Sequence, residues 1–363
     1  MSSYLPMNLT HGTSGGLIPG EGPSDAKIAI VGEAGGAEED RYKRPFVGPA
    51  GRVLEQCMHT AGLVRAETWL TNVVKIRPKD NKIDPYYNTK TGHFSEAGME
   101  WVRDLWRELN EIKPNIIVAS GNVPMAALTR RKKRITMYRG YIEEGVPELW
   151  TRKVLPTLHP SATFFRGEKE GGTKGGPGKG KSPYMGRYYI SHDLRKAKLF
   201  SATPDLVRPV RKMLYNFSSA SEVVAYIKEL ASSGRVSTDI EVLNYEMSCI
   251  SLAASPDFGI SIPFSDQRLW SIHEEAEIMR ALGKHVFGNV SVIKVVQNGI
   301  FDLWFLFLRY GIVTRGSVED TMIGHHIMYF DMAKALEFIA SIHCGAQEFW
   351  KDMVSFDNIK ENA

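Results

Sequence analysis

Three acids in the second half of this 363-residue chain have the types and spacing that divalent-cation chemistry requires. Asp239 and Glu241 stand two apart in Val236–Val242, a run that reads as a strand, so both side chains project from one face. Adjacent carboxylates repel unless cations lie between them, and hard ions such as Mg2+ take oxygen ligands of this kind. A third acid, Asp302, closes Asn298-Gly299-Ile300-Phe301-Asp302, just after the strand-like run Val292–Val296. The helix beginning there, FDLWFLFLRYG, is apolar almost all round, and a carboxylate entering it is costly without a counter-charge. The spacing alone also fits a capping role for Asp302 and a solvated strand face for Asp239 and Glu241.

The first half offers four short motifs. Val31-Gly32-Glu33-Ala34-Gly35-Gly36 puts a carboxylate at a strand end, with glycines that let a ligand approach the backbone closely. No G-K-[ST] follows, so this is not a phosphate-cradling loop. Pro45-Phe46-Val47-Gly48-Pro49-Ala50-Gly51 carries an aromatic, Thr71-Asn72-Val73-Val74 an amide at a strand end, and Leu158-His159-Pro160-Ser161 an imidazole after a strand. Taken singly, Phe46 reads as a core residue, Asn72 as a turn former and His159 as an ordinary loop histidine.

In order, G-E-A-x-G, P-F-V-G-x-A-G, T-N-V-V-K-x-R-P and H-P-S resemble the uracil-DNA glycosylases of the iron–sulfur type over about residues 27–200. The resemblance implies that Phe46 stacks on a flipped base. It implies that Asn72 reads the Watson–Crick edge of uracil and that His159 stabilises the charge left on the ring at O2. Glu33 would position or activate water, and Phe164, Phe165 and Arg166 would wedge into the DNA stack. Two positions depart from the pattern: Gly35 replaces the proline of the turn, and Ile76 stands where a cluster cysteine belongs. With the cluster cysteines missing, no iron–sulfur cluster is expected.

From Leu214 onward the chain resembles the DnaQ-like proofreading domain of family A DNA polymerases. D-x-E matches Asp239 and Glu241, and N-x-x-F-D matches Asn298, Phe301 and Asp302. Asp320-Thr321-Met322, Lys334-Ala335-Leu336 and Trp350-Lys351-Asp352 resemble the family's stretch between its second and third motifs. The implied chemistry is 3′→5′ hydrolysis by two ions, Mg2+ or Mn2+, ~3.5–4 Å apart. Asp239 would bridge both ions, with Glu241 and Asp302 holding one side each. The family's third motif, Tyr-x-x-x-Asp, is not found between Asp352 and Ala363, and Asp357 has no tyrosine partner. The expectation is therefore an exonuclease domain cut before that motif, with weak or absent activity unless a separate polymerase chain supplies the rest.

Elements that could position these residues follow from periodicity. Lys27–Gly32, Trp69–Val74, Asn115–Ala119 and Lys153–Leu158 read as strands, alternating with helices at Gly51–Ala61, Glu96–Ile112, Val123–Thr129 and His192–Phe200. Met99, Val102, Leu105, Trp106, Leu109 and Ile112 recur at helical steps. Alternation predicts a parallel sheet flanked by helices. In the second half, Val236–Val242, Ser248–Ala254 and Gly259–Pro263 read as strands, and Ser219 with Glu222 has capping-box spacing. The fold class is α/β in two domains, a parallel-sheet uracil-DNA glycosylase-like sandwich and an RNase H-like (DnaQ-type) exonuclease domain. The expected limits are a loosely ordered lead-in over 1–26, the first domain over 27–200, a linker over 201–213 and the second domain over 214–363. A basic loop at 167–183 interrupts the first domain; its Gly167–Lys181 holds seven glycines and four lysines and cannot build a core.

Composition agrees. An apolar share of 43% and a charged share of 24% are those of a soluble globular protein, and a net charge of +4 suits a nucleic-acid partner without demanding one. Cys57, Cys249 and Cys344 lie far apart and lack C-x-x-C spacing, which argues against a disulfide framework and suits a reducing cytoplasm. No signal peptide or membrane span is expected. The sequence predicts a hydrolase acting on DNA (single-stranded or primer–template, with uracil in it). The alternative is a non-catalytic uracil-sensing or DNA-binding module of a split or truncated polymerase.

Overall fold

The computed structural model describes residues 16–132, 134–150, 152–164, 183–264, 269–345 and 349. The chain divides into two compact units. The first holds the described residues up to Val207 together with the stretch from Ala340, and the second runs from Arg208 to Ile339.

The first unit is built on β1 (Ile28–Ala34), α1 (Ala37–Tyr42), α2 (Pro49–Ala61) and β2 (Trp69–Val74). A small hairpin, β3 (Tyr87–Asn88) and β4 (His93–Phe94), leads into α3 (Glu96–Ile112). Then come β5 (Ile116–Ser120), α4 (Asn122–Leu128), α5 (Ile135–Tyr138), β6 (Glu143–Glu144), β7 (Lys153–Thr157) and α6 (Pro183–Phe200). The sheet order is β2-β1-β5-β7-β6, parallel except for β6. Strands buried on both faces must be apolar throughout, and Ile28–Gly32 and Ile116–Ser120 are buried at every position.

Helix α3 begins where Ser95 Oγ accepts the Gly98 amide at 3.1 Å and ends at Lys113 in the left-handed conformation, before Pro114. Its stripe of Trp101, Val102, Leu105, Leu109 and Ile112 is buried. Each such side chain contributes about 1.5–3 kcal/mol by leaving water.

Residues 16–26 correct the expected loose lead-in. Ile18 is buried and donates its amide to Lys75 O at 2.7 Å, while Glu21 and Leu70 exchange both backbone hydrogen bonds. This segment adds an antiparallel bridge to the β2 edge.

The second unit comprises β8 (Lys212–Leu214), α7 (Ala220–Ser232), β9 (Arg235–Leu243), β10 (Glu246–Ala253), β11 (Phe258–Pro263) and α8 (Ile272–Ala281), the last followed by a π-helical turn. β12 (Ile293–Val296), α9 (Ile300–Tyr310), β13 (Val318–Asp320), α10 (Thr321–Met328) and α11 (Leu336–His343) complete the order. Its sheet runs β13-β12-β9-β10-β11-β8, with β9, β10 and β11 antiparallel and β12 parallel to β9. Ser219 Oγ accepts the Glu222 amide at 3.2 Å as its spacing predicted. The Glu222 carboxylate, however, turns to the amide and hydroxyl of Ser218 rather than closing the box on Ser219.

The chain from Ala340 belongs to the first unit rather than the second because it is held there by buried partners. Lys196 Nζ donates to Gly140 O, Ser341 O and Cys344 O at 2.7–2.9 Å, and Arg139 donates to Ser341 Oγ at 3.1 Å. Arg139 is itself ion-paired with fully buried Asp193. Phe349 is fully buried, edge-on to Tyr138 and Tyr141. No helix among the described residues is long and apolar enough to cross a membrane.

Candidate functional sites

Strand ends place the first set of residues. β1 and β2 run parallel with Gly32 opposite Asn72, which sets Glu33 and Asn72 at the same end of the sheet. The β7 strand delivers His159 two residues past its own end. Glu33, Phe46, Asn72, His159, Ser161 and Phe164 all line one cavity of about 650 Å³. The four motifs that look ordinary singly thus converge.

Phe46 is buried and holds a left-handed backbone, φ 54°, unusual for a bulky residue and worth of order 1–3 kcal/mol of strain. Two glycines make room for it. A Cβ on Gly51 would lie 1.9 Å from Phe46 O, and one on Gly32 would lie 2.7 Å from Phe46 Cζ and 2.2 Å from Asn72 Oδ1. Ring edge and amide therefore meet across a position that only glycine can occupy. The Asn72 side chain is buried, and its Nδ2 has no hydrogen-bond partner. An unpaired buried donor is costly and marks a place where a ligand acceptor belongs.

His159 Nδ1 accepts the backbone amide of Ser161 at 3.2 Å and lies 2.7 Å from the Ser161 hydroxyl. A backbone N–H can only donate, so Nδ1 is the bare nitrogen and Nε2 carries the proton. Burial pushes the His159 pKa down to about 4, so the ring is a neutral donor at physiological pH. Burial, and next the nearby Asp84 carboxylate, hold Glu33 above the usual carboxylate range.

The departures at Gly35 and Ile76 fall together. Gly35 N–H donates to Ile76 O at 3.3 Å, a bond no proline could make, and Ile18 Cδ1 fills the space where a Gly35 side chain would stand. The described core around Ile76 contains no cysteine, and Cys57 packs in a separate core. These residues do not fit an iron–sulfur cluster.

Phe164 lies at the cavity rim, exposed; Phe165, Arg166 and residues 167–182 lie outside the described residues, as do Trp350-Lys351-Asp352 and Asp357.

In the second unit, β9 alternates as its sequence predicts: Val236, Thr238 and Ile240 are buried, while Asp239 and Glu241 face outward together. Burial, then the Glu241 charge, raises Asp239. Asp302 is buried in the first turn of α9, and its Oδ2 has no hydrogen-bond partner. Burial, with Asp239, Glu241 and Asp320 adding repulsion, pushes its pKa up to about 6. Among the described residues no three His, Cys, Asp or Glu side chains are drawn together tightly enough to hold a metal ion. The three acids form an electrostatically coupled but open set. An orphaned buried carboxylate oxygen among acids fits a divalent cation in kind.

Sequence reading missed what holds this set. Asp320 accepts the amides of Asn298 and Gly299 at 3.1 and 2.9 Å and those of Met322 and Ile323 at 2.8 and 3.2 Å. It fixes the left-handed turn at Asn298, φ 56°, from which α9 presents Asp302, and caps α10 as well. Its Asp-Thr setting before an apolar helix signals the cap; its grip on a turn 22 residues upstream has no local signal.

Fold and sequence together define a chain with a uracil-DNA glycosylase superfamily domain followed by a DnaQ-like 3′-5′ exonuclease domain. The chain matches the uracil DNA glycosylase superfamily over residues 19–174 and the 3′-5′ exonuclease family over residues 215–359. It is 37% identical over 147 residues to the type-4 uracil-DNA glycosylase of Thermotoga maritima, covering 40% of this chain and 70% of that protein. The chain belongs to the uracil-DNA glycosylase superfamily. Over 341 residues it is 24% identical to the DNA polymerase of Bacillus phage SP01, covering 86% of this chain and 34% of the polymerase. It thus spans about a third of that polymerase's length. The exonuclease fold has a distant solved likeness in the EXO domain of Aedes aegypti Nibbler, 19% identical with a TM-score of 0.28 over 35% of this chain and 62% of that one.

Proposed function

We propose that the first unit excises uracil from DNA, within the frame of a phage-type DNA polymerase. One observation carries this: Asn72, whose buried Nδ2 has no hydrogen-bond partner, lines the same cavity as Phe46, His159 and Glu33. In this reading the flipped base stacks on Phe46, Asn72 Oδ1 accepts the uracil N3–H, and Nδ2 donates to O4. Thymine shows the same edge, so this contact selects against cytosine. The neutral His159 donates through Nε2–H to O2 as charge builds on the leaving ring, a contribution on the order of 10²- to 10³-fold when such a donor is preorganised. Glu33, made more basic by its surroundings, orients or deprotonates the attacking water. Phe164, with Phe165 and Arg166, contacts the strand the base leaves. No step uses an iron–sulfur cluster.

The second unit, in the same proposal, is a 3′→5′ exonuclease site in which Asp239, Glu241 and Asp302 would hold Mg2+ or Mn2+. When bound, such ions activate water and stabilise the leaving 3′ oxygen. Asp239 and Glu241 share one strand face and Asp302 enters from α9, so an ion must draw the set closer than it stands. DNA, single-stranded or primer–template, is the partner both chemistries imply. The proposal takes 27–200 as the glycosylase domain and 214–339, the part of the 214–363 stretch that packs in the second unit, as the exonuclease domain.

The test is a labelled oligonucleotide carrying one uracil, incubated with the chain with and without EDTA. Abasic-site formation that survives EDTA, beside any 3′ shortening that does not, supports the proposal. Tight binding with no abasic product favours a uracil-sensing module instead and overturns excision.

A further inference from the structure

We infer that Arg65, which lies outside the cavity, is a positioning residue that sets the uracil platform through the backbone of Phe46; the role of the platform rests on the reading above. The left-handed backbone of Phe46 does not hold itself, because a bulky residue relaxes out of that region unless its peptide groups are tied. They are tied on both sides. Glu39 Oε1 accepts the Phe46 amide at 2.5 Å from the cavity side. On the opposite side, Arg65 donates to Pro45 O at 2.7 Å and to Phe46 O at 3.3 Å.

Arg65 is anchored in its turn. Its Nε lies 3.5 Å from Glu21 Oε1, and the same carboxylate takes a two-pronged contact from Arg44 at 2.7 and 2.8 Å. The Glu21 backbone is bonded in both directions to Leu70, on the strand that carries Asn72 two residues further on. One carboxylate therefore joins the loop that bears the platform to the strand that bears the amide. Arg44 grips the Glu21 carboxylate with its planar fork, and Arg65 spans from that carboxylate to two carbonyls, a geometry that an ammonium group cannot reproduce. The gap between the Phe46 ring and the Asn72 amide is set by this clamp, and uracil fits or misfits according to it. None of Glu21, Arg44 and Arg65 lines the cavity, so a change there reaches the base only through the loop.

The experiment pairs two readouts on Arg65→Ala, Arg65→Lys and Glu21→Gln. Hydrogen exchange reports protection of the Phe46 amide. Binding of a non-cleavable 2′-fluoroarabino-uracil oligonucleotide, against its cytosine counterpart, reports base preference. Arg65→Ala is expected to lose Phe46 protection while the α3 amides stay protected, and to lower uracil preference on the order of 10- to 100-fold. Arg65→Lys should recover part of both, and Glu21→Gln should show a smaller loss of both. In a Phe46→Leu background, Arg65→Ala should change preference no further, an outcome that a general stabilising role would not produce. Unchanged Phe46 protection in Arg65→Ala and Glu21→Gln overturns the clamp, as does an undiminished effect in the Phe46→Leu background. If the unaltered chain shows no uracil preference, the functional reading fails, and exchange at Phe46 still decides the clamp.

Discussion

Gly35 donates its backbone N–H to the carbonyl oxygen of Ile76, 3.3 Å away, joining the turn that bears Glu33 to the segment that follows the Asn72 strand. The turn gains from this bond what a proline ring would supply by stiffness. Proline at 35 would remove the donor and drive its ring toward Ile18 Cδ1, 2.2 Å from the site of a Cβ. Gly35→Pro should therefore lower stability by about 1–3 kcal/mol, from an unpaired buried carbonyl and overpacking. Ile18→Ala in the same chain should return part of the loss, read by urea denaturation. An increase in stability on Gly35→Pro alone would refute this account.

Asn72→Ala should leave the fold intact, because the amide that it removes already lacks a partner in the unliganded protein. Uracil-over-cytosine preference should fall roughly 100-fold, the loss of two hydrogen bonds to a buried base. Retained preference would show that the pocket reads its base elsewhere.

Acid should act through Glu33 before it acts through His159. Glu33 must be ionised to serve as a base, and its pKa is raised, so kcat/KM should climb with pH through that raised value. The His159 ring stays neutral above about 4, so no descending limb near neutrality is expected from it. Its folded pKa lies below the ordinary 6.5, so the unfolded chain binds the extra proton first. Stability is thus lost as pH falls from about 6.5 toward 4. His159→Asn should flatten that part of the stability profile, and an unaltered slope would count against the buried neutral ring.

Asp302 makes the opposite prediction. Its carboxyl pKa is raised from 3.8 to about 6, so the native state holds its proton longer than the unfolded chain does. Stability falls as pH rises through that window and stays reduced above it. Asp302→Asn should raise Tm in EDTA at pH 7.5 by roughly 2–4 °C, the response to about 1 kcal/mol. Mg2+ or Mn2+ should raise the Tm of the unaltered chain and leave that of Asp302→Asn where it was. Equal metal response in both would remove Asp302 from the site.

Much of this protein was legible in its residues, and the limit is one of range. Trp69–Val74 and Glu96–Ile112 form the elements that their patterns predict, residue for residue, since burial on a regular element repeats with the element. Glu33 stands near the end of β1, Asn72 within β2 and His159 just past β7, where a local motif and a local element coincide. Arg65 and Glu21 carried no such mark. Their roles depend on pairings 19 to 44 residues away, and nothing in their own neighbourhood states which carbonyl or guanidinium they meet. Residues 16–26 depart from the expected loose lead-in for the same reason. Its glycines and prolines look like a loose end until Leu70 supplies the strand that Glu21 pairs with.

The burial of Phe349 against Tyr138 and Tyr141 alters what the segment around 201–213 can be. The second unit is an insert, spliced into the first at both its beginning and its end. A single protease cut in 201–213 should leave both pieces travelling as one species on a native sizing column, because the stretch from Ala340 still moors the severed half.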